Sequence, residues 1–185
     1  MNEIIKLRTP LTKADMGILR IGDVIELSGT VYTARDAAHR RMLNAFEAGE
    51  EQVLDFAGQF VFYAGPCPAK PGREIGSIAP TTSARMDSFV PMTFELGMLG
   101  MIGKGDRSGQ VASLCKKYGG VYLLSIGGAS AVISNQVKRC DVVAYEDLGT
   151  ESIKRLEVED LRLIVGIDSL GQVFQEEQIK YYRIG

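Results

Sequence analysis

The sequence has almost no net charge: 21 lysines and arginines stand against 23 aspartates and glutamates, a formal −2 at pH 7. A general nucleic-acid or membrane-surface binder needs a broad basic field, so neither partner is expected, and any anion must be held by a few placed cations. Long apolar runs are missing too; none approaches the roughly 20 residues that cross a bilayer. The opening Met1-Asn2-Glu3-Ile4-Ile5-Lys6 has no basic region followed by an apolar stretch and a small-residue cleavage site, which reads as a cytoplasmic protein. Cysteine is scarce. Cys67, Cys115 and Cys140 are odd in number and widely separated, without the close spacings of zinc or iron–sulfur ligands, and a cytosolic chain is not expected to pair them. They read as unpaired thiols. Cys67, between Pro66 and Pro68, is the one to check for exposure and is assigned no role.

What is present is an ordinary globular composition, 45% apolar and 24% charged, over 185 residues, a length suited to one domain spanning 1–185. The first dozen residues read as an extended lead-in, followed by a short turn over 15–19. β-Branched residues mark a strand over 24–32, and apolar residues at helical spacing mark a helix over 34–48, with Gly49 at its stop. Strands are expected over 59–63 and 74–78, flanking a Pro- and Gly-rich stretch at 64–72. A helix over 83–96 must kink or split at Pro91. Beyond it, strands at 100–102, 121–126 and 137–145 alternate with helices at 108–118 and 129–135, with Ser108 as a plausible N-cap. Two further strands are expected at 155–158 and 163–167, then a tight turn at Asp168-Ser169-Leu170-Gly171. Strands alternating with short helices indicate a mixed α/β domain.

Four segments combine glycine, hydroxyl and cation at strand-to-helix junctions. In Thr33-Ala34-Arg35-Asp36-Ala37-Ala38-His39, Arg35 and His39 are four apart and Asp36 and His39 three apart, so they can share a helix face. A capped helix start with surface ion pairs explains the same pattern, and a lone histidine is weak ground for catalysis despite its pKa. In Pro80-Thr81-Thr82-Ser83-Ala84-Arg85, three hydroxyls and a guanidinium stand where a helix should begin, which suits an anion as well as a simple N-cap. Gly103-Lys104-Gly105-Asp106-Arg107-Ser108 places a lysine in a sharp turn, with glycine spacing unlike a nucleotide P-loop. Gly127-Gly128-Ala129-Ser130 permits close approach of a ligand, a neighbouring chain or simply packed backbone. Arg35, Arg85 and Lys104 thus stand at strand ends, where open α/β sheets bind ligands, and three local cations with hydroxyls suit a small dicarboxylate.

The series GTVYTARDAAHRR, YAGPCPAKPG, APTTSARMDSF, IGKGDRS, IGGASA and GIDSLG, in this order between about Leu11 and Gln172, resembles the C-terminal domain or separate β subunit of class I fumarases and L-tartrate dehydratases. The resemblance implies an α/β fold of the swivelling β/β/α kind with a mixed β-sheet core. It implies a hydro-lyase, active only with a partner α subunit that holds a 4Fe-4S cluster on its own three cysteines, so that this chain ligates no metal. It further implies that Arg35, Arg85 and Lys104 grip the substrate and that Thr81, or less favourably Thr82, is the general base. A hydroxyl is a poor base at neutral pH and needs a lowered pKa or a carboxylate relay from the other subunit. The expected reaction is reversible hydration of fumarate to L-malate, in a self-dimer or an α2β2 assembly. Two other readings stand beside it: the β subunit of an L-tartrate dehydratase, and a non-catalytic assembly module that has kept only the fold.

Overall fold

The computed structural model describes residues 4–69, 71–125 and 130–182. In chain order these form β1 (Ile5–Arg8), α1 (Lys13–Gly17), β2 (Val24–Thr33), α2 (Asp36–Glu47) and β3 (Phe60–Phe62). A 3-10 helix (Ser83–Phe89) follows and runs into α3 (Val90–Glu95), then β4 (Gly100–Gly103), α4 (Gly109–Tyr118) and β5 (Val121–Ser125). After α5 (Ser130–Gln136) and β6 (Val137–Ala144), a 3-10 turn (Glu146–Glu151) leads into the long β7 (Ile153–Ile167), and α6 (Phe174–Tyr182) ends the described chain. The architecture is mixed α/β on a mixed sheet. Gly127–Ala129 of the fourth glycine-rich segment lie outside the described residues.

The strands β2, β3, β4 and β5 pair side by side in parallel. β7 then pairs antiparallel with both ends of that series, with β5 through Leu163–Ile167 and with β2 through Lys154–Ile164. The five strands therefore close into a ring. The remaining edge positions are taken by β1, parallel to the first half of β2, and by β6, antiparallel to the first half of β7.

Because side chains alternate along a strand, each ring strand feeds two cores. Phe60, Phe62, Ile102 and Leu123 join Ile25, Leu27, Val31, Leu163 and Val165 in one cluster, with Leu11, Met16 and Leu19 from around α1. Val61, Tyr63, Met101 and Tyr122 point the other way, beneath Ala38 and Met42 of α2, Met86 to Phe94, and Val111 and Cys115 of α4. Burial on both faces is the reason β3, β4 and β5 read as nearly continuous apolar runs, whereas β2 and most of β7 alternate.

Several expectations are corrected. No strand forms over 74–78: Gly76 and Ser77 meet Cys67 in an irregular loop, where Pro66 and Pro68 have no N–H for a ladder. The two strands expected near the end are one, because Leu161 and Arg162 stay paired with Leu27 and Glu26 while Glu159 and Asp160 face solvent. Asp160 takes up the bend at φ 51° and its N–H donates to Ser28 Oγ at 3.0 Å. The lead-in contains a paired strand, β1, and α6 was not anticipated. The helix over 83–96 does divide next to Pro91, with 3-10 geometry before it and α-helix from Val90 onward.

Ser108 occupies the N-cap of α4 but makes no side-chain cap. Asp87 does so instead: its Oδ2 accepts from the Ser108 N–H at 2.8 Å, while its Oδ1 accepts from Arg107 Nε at 2.6 Å. The Arg107 side chain has no solvent exposure, and its guanidinium lies over the rings of Tyr63 and Tyr122, 5.2 and 4.7 Å from their centroids. Removing the carboxylate strands a buried cation, for which a loss of about 3–5 kcal/mol is usual. Asp87→Ala is therefore expected to unfold at markedly lower urea concentration than the wild type; a stability change under about 1 kcal/mol would contradict a buried pair.

Candidate active site

The parallel strands β2, β3 and β4 are neighbours, so the loops leaving their C-terminal ends meet. Arg35 follows β2 by two residues and is the N-cap position of α2. Thr81 is tied to the end of β3, its N–H donating to the Tyr63 carbonyl at 2.8 Å. Lys104 follows β4 directly and pairs with Thr82 across a parallel bridge. Ser83 secures that junction: its N–H donates to the Lys104 carbonyl at 3.1 Å, and its Oγ accepts from the Lys104 N–H at 2.9 Å. Gly103 is required here, since a Cβ at that position would lie 1.9 Å from Ser83 Oγ. The Tyr122 hydroxyl, whose pKa burial pushes up to about 12, bridges Ser83 Oγ at 3.0 Å and the Gly105 carbonyl at 3.1 Å from beneath.

The side chains form a connected set. Arg85 Nη2 donates to Thr81 Oγ1 at 2.7 Å and to Asp36 Oδ2 at 3.1 Å. Arg35, one residue before Asp36, is only loosely paired, with Nη2 3.7 Å from Glu151 Oε1, and among the described residues its buried Nε has no hydrogen-bond partner. Lys104 is exposed, and among the described residues its ammonium enters no ion pair. All four residues singled out from sequence, Arg35, Thr81, Arg85 and Lys104, are thus brought to the same end of three adjacent strands. Thr82 is exposed and makes no side-chain cap, whereas the third hydroxyl, Ser83, is wholly buried.

Sequence spacing missed Glu151, which stands over a hundred residues away with no local signal. It placed Asp36 beside His39 and did not show Arg85 as its partner. An open cavity of about 290 Å³ lined by Cys67, Arg73, Ser77 and Asn135 has none of the four candidate residues in its wall.

His39 does not share an exposed face with Arg35 and Asp36. It is fully buried, stacked on Phe89 at 5.4 Å and edge-on to Tyr63 at 5.5 Å. Its Nδ1 lies 2.9 Å from the Arg35 carbonyl, which can only accept, so Nδ1 carries the proton and Nε2 is left buried without a partner. Burial pushes its pKa down to about 4. The unfolded chain takes up this proton below about pH 6.5, the native chain only near 4, so stability is complete above 6.5 and is lost as pH falls toward 4. At pH 5 the loss is about 2 kcal/mol relative to pH 7. Urea unfolding of wild type and His39→Gln at pH 7 and pH 5 should show that difference in the wild type alone; equal pH dependence would mean His39 is not buried as a neutral base.

A family profile described as Fumarase C-terminus matches residues 1–178. The mitochondrial fumarate hydratase 1 of Leishmania major is 42% identical over 156 residues, covering 83% of this chain and 28% of that protein. The anaerobic class I fumarate hydratase of Escherichia coli K12 is 39% identical over 155 residues, with the same two coverages, 83% and 28%. A Methanocaldococcus jannaschii protein named as a candidate β subunit of L(+)-tartrate dehydratase is 36% identical over 176 residues, covering 90% of this chain and 89% of that one. The chain therefore spans under a third of these two fumarate hydratases and nearly the whole of the named β subunit. With the profile running along almost its full length, this chain is a member of the fumarase C-terminus family.

Proposed function

We propose that the chain is the β subunit of a class I fumarate hydratase, a hydro-lyase interconverting fumarate and L-malate with a partner α subunit. One observation carries the reading. Three cations stand at the ends of adjacent strands, and among the described residues each has capacity to spare: Arg35 is met by a carboxylate only at 3.7 Å, Arg85 uses Nη2 alone, and the Lys104 ammonium enters no ion pair. That suits a substrate with two carboxylates, which arginine takes as a fork and lysine as a point charge. The match to a named β subunit along most of its length supports the β-type role.

The chain's own cysteines do not fit an iron–sulfur cluster. Cys115 is buried, its thiol pushed up to about 12 by that burial, while Cys67 is exposed and Cys140 half-buried. Among the described residues no group of three or more histidine, cysteine, aspartate or glutamate side chains is arranged for a metal. This reading assigns the 4Fe-4S cluster to the α subunit, with this chain contributing binding and proton transfer.

In that division Arg35, Arg85 and Lys104 hold the diacid. Thr81 takes the proton from the carbon beside one carboxylate of L-malate. Hydroxide leaves the neighbouring carbon with its bonding pair as the double bond forms, and the partner's cluster would supply the Lewis acid that takes it up. The 2.7 Å bond from Arg85 lowers the cost of an anionic Thr81 Oγ1 and leaves a lone pair for the incoming proton. The hydroxyl's own proton must first pass to a carboxylate, assigned here to the partner. Asp36 holds Arg85 through Nη2, which leaves the other guanidinium donors for a substrate carboxylate. The L-tartrate reading uses the same cations and rests on the match to the named tartrate dehydratase subunit.

In the assembled enzyme, with cluster content measured for every variant, Thr81→Ala should lower kcat about 10²- to 10⁴-fold with little change in KM. Arg85→Ala should chiefly raise KM, and Thr82→Ala should be mild. Normal kcat for Thr81→Ala with loss in Thr82→Ala would move the base by one residue. Normal kcat in both would place it in the partner. The chain without its partner should leave fumarate unchanged.

A second comparison separates the substrates. The assembled enzyme should show a higher kcat/KM for L-malate than for L(+)-tartrate, and the reverse order would make the chain a tartrate dehydratase subunit.

A further inference from the structure

Arg35 occupies the N-cap of α2, a position normally held by a side chain that accepts from the first turn, and a guanidinium accepts nothing. The missing acceptor comes from across the sheet. Glu151, at the end of the 3-10 turn before β7, takes the Ala37 N–H on Oε2 at 2.9 Å while its Oε1 faces Arg35 Nη2 at 3.7 Å. Both side chains are about three-quarters buried, at 28% and 27% exposure.

The turn that presents Glu151 is itself clamped. Lys154 is buried, among the described residues without a carboxylate partner, and its three donors are matched by three acceptors: the Gly149 carbonyl at 2.9 Å, Ser152 Oγ at 2.5 Å and the Thr150 carbonyl at 3.5 Å. On the other side Gly65 leaves room for the arginine. A Cβ there would lie 2.9 Å from both Arg35 Nη1 and the Thr150 carbonyl. The guanidinium is therefore enclosed between Gly65, the 149–151 turn and the start of α2, with its Nε still unpartnered.

We infer that Glu151 is a positioning residue for substrate binding: it aims the Arg35 guanidinium from one carboxylate oxygen while capping α2 with the other, and Lys154 holds it at that height. This rests on the reading of Arg35 as a substrate-binding cation. At 3.7 Å the contact orients the arginine without saturating it, which leaves the exposed part of the guanidinium for an incoming carboxylate.

Glu151→Gln separates the two tasks, because an amide oxygen can still accept from Ala37 whereas an uncharged amide no longer attracts Arg35. In the assembled enzyme, Glu151→Gln is expected to raise the KM for fumarate about tenfold, with kcat within about threefold and Tm near the wild type. Glu151→Ala should raise KM similarly and lower Tm as well. Arg35→Ala should raise KM, and the double variant Glu151→Gln/Arg35→Ala should be no worse than Arg35→Ala alone. A wild-type KM in Glu151→Gln, with Arg35→Ala impaired, would reduce Glu151 to a helix cap and overturn the inference alone. A wild-type KM in Arg35→Ala would overturn the reading of Arg35 and the inference together. Independently of turnover, the ¹⁵N-resolved Nε–H signal of Arg35 in the full chain should shift and exchange faster in Glu151→Gln; an unchanged signal would also sink the positioning role.

Discussion

Everything at the candidate site depends on the antiparallel pairing of β7 with β2. That contact turns a row of parallel strands into a closed ring, and the pairing runs almost the whole length of β2, from Val24 against Ile164 to Thr33 against Lys154. Closure has two consequences. It leaves β2, β3 and β4 side by side and in parallel, so their C-terminal loops emerge at one end. It also fixes the start of β7 beside the end of β2, which carries the turn bearing Glu151 to the N-terminus of α2. A ladder of this length cannot slip by one residue without exchanging the side chains of its two buried faces, so the register of the site is inherited from the register of the core.

Beneath the exposed cations lies a layer of buried polar groups that ties one loop to another. Asp87 couples the 3-10 helix carrying Arg85 to Arg107 and the start of α4. Ser83 and Tyr122 couple the same helix to Lys104 and Gly105. His39 couples α2 to Tyr63 and Phe89 through its ring and to the Arg35 carbonyl through Nδ1. Such groups contribute little net stability compared with apolar residues of the same shape, but a buried donor that loses its acceptor costs about 1–3 kcal/mol. The loops are therefore constrained together, and a group that loosens one is expected to be felt at the others.

The two arginines of the site sit in unlike electrostatic settings. Arg85 is about half exposed and meets Asp36 and Thr81 through Nη2 alone, so its other donors would be open to a ligand carboxylate. Arg35 is more enclosed and less satisfied, since it has a distant carboxylate and an unpartnered Nε. Attraction between charges grows as water is excluded, so on the proposed reading the enclosed arginine would be the stronger anchor and the exposed one the more adjustable.

Much of this was legible along the chain. The strand-to-helix junctions carrying Arg35, Thr81, Arg85 and Lys104 are local patterns of glycine, hydroxyl and cation, and they mark both the family and the four candidate residues. The helix interruption beside Pro91 follows from a missing N–H and needs no tertiary information. What was illegible is of another kind. Whether residues 74–78 pair as a strand depends on an available edge, and whether 155–158 and 163–167 are one strand depends on β2 lying opposite both. The lone histidine could be a surface or a core residue until Phe89 and Tyr63 close over it. Glu151 is 114 residues from the N–H it caps, and nothing in its neighbourhood names Arg35 as its partner. Residue type and short spacing decided which side chains stand at the strand ends, because those depend on the backbone within a few residues. Closure of the ring decided which carboxylates hold them, because a contact across the sheet exists only once distant strands are in register.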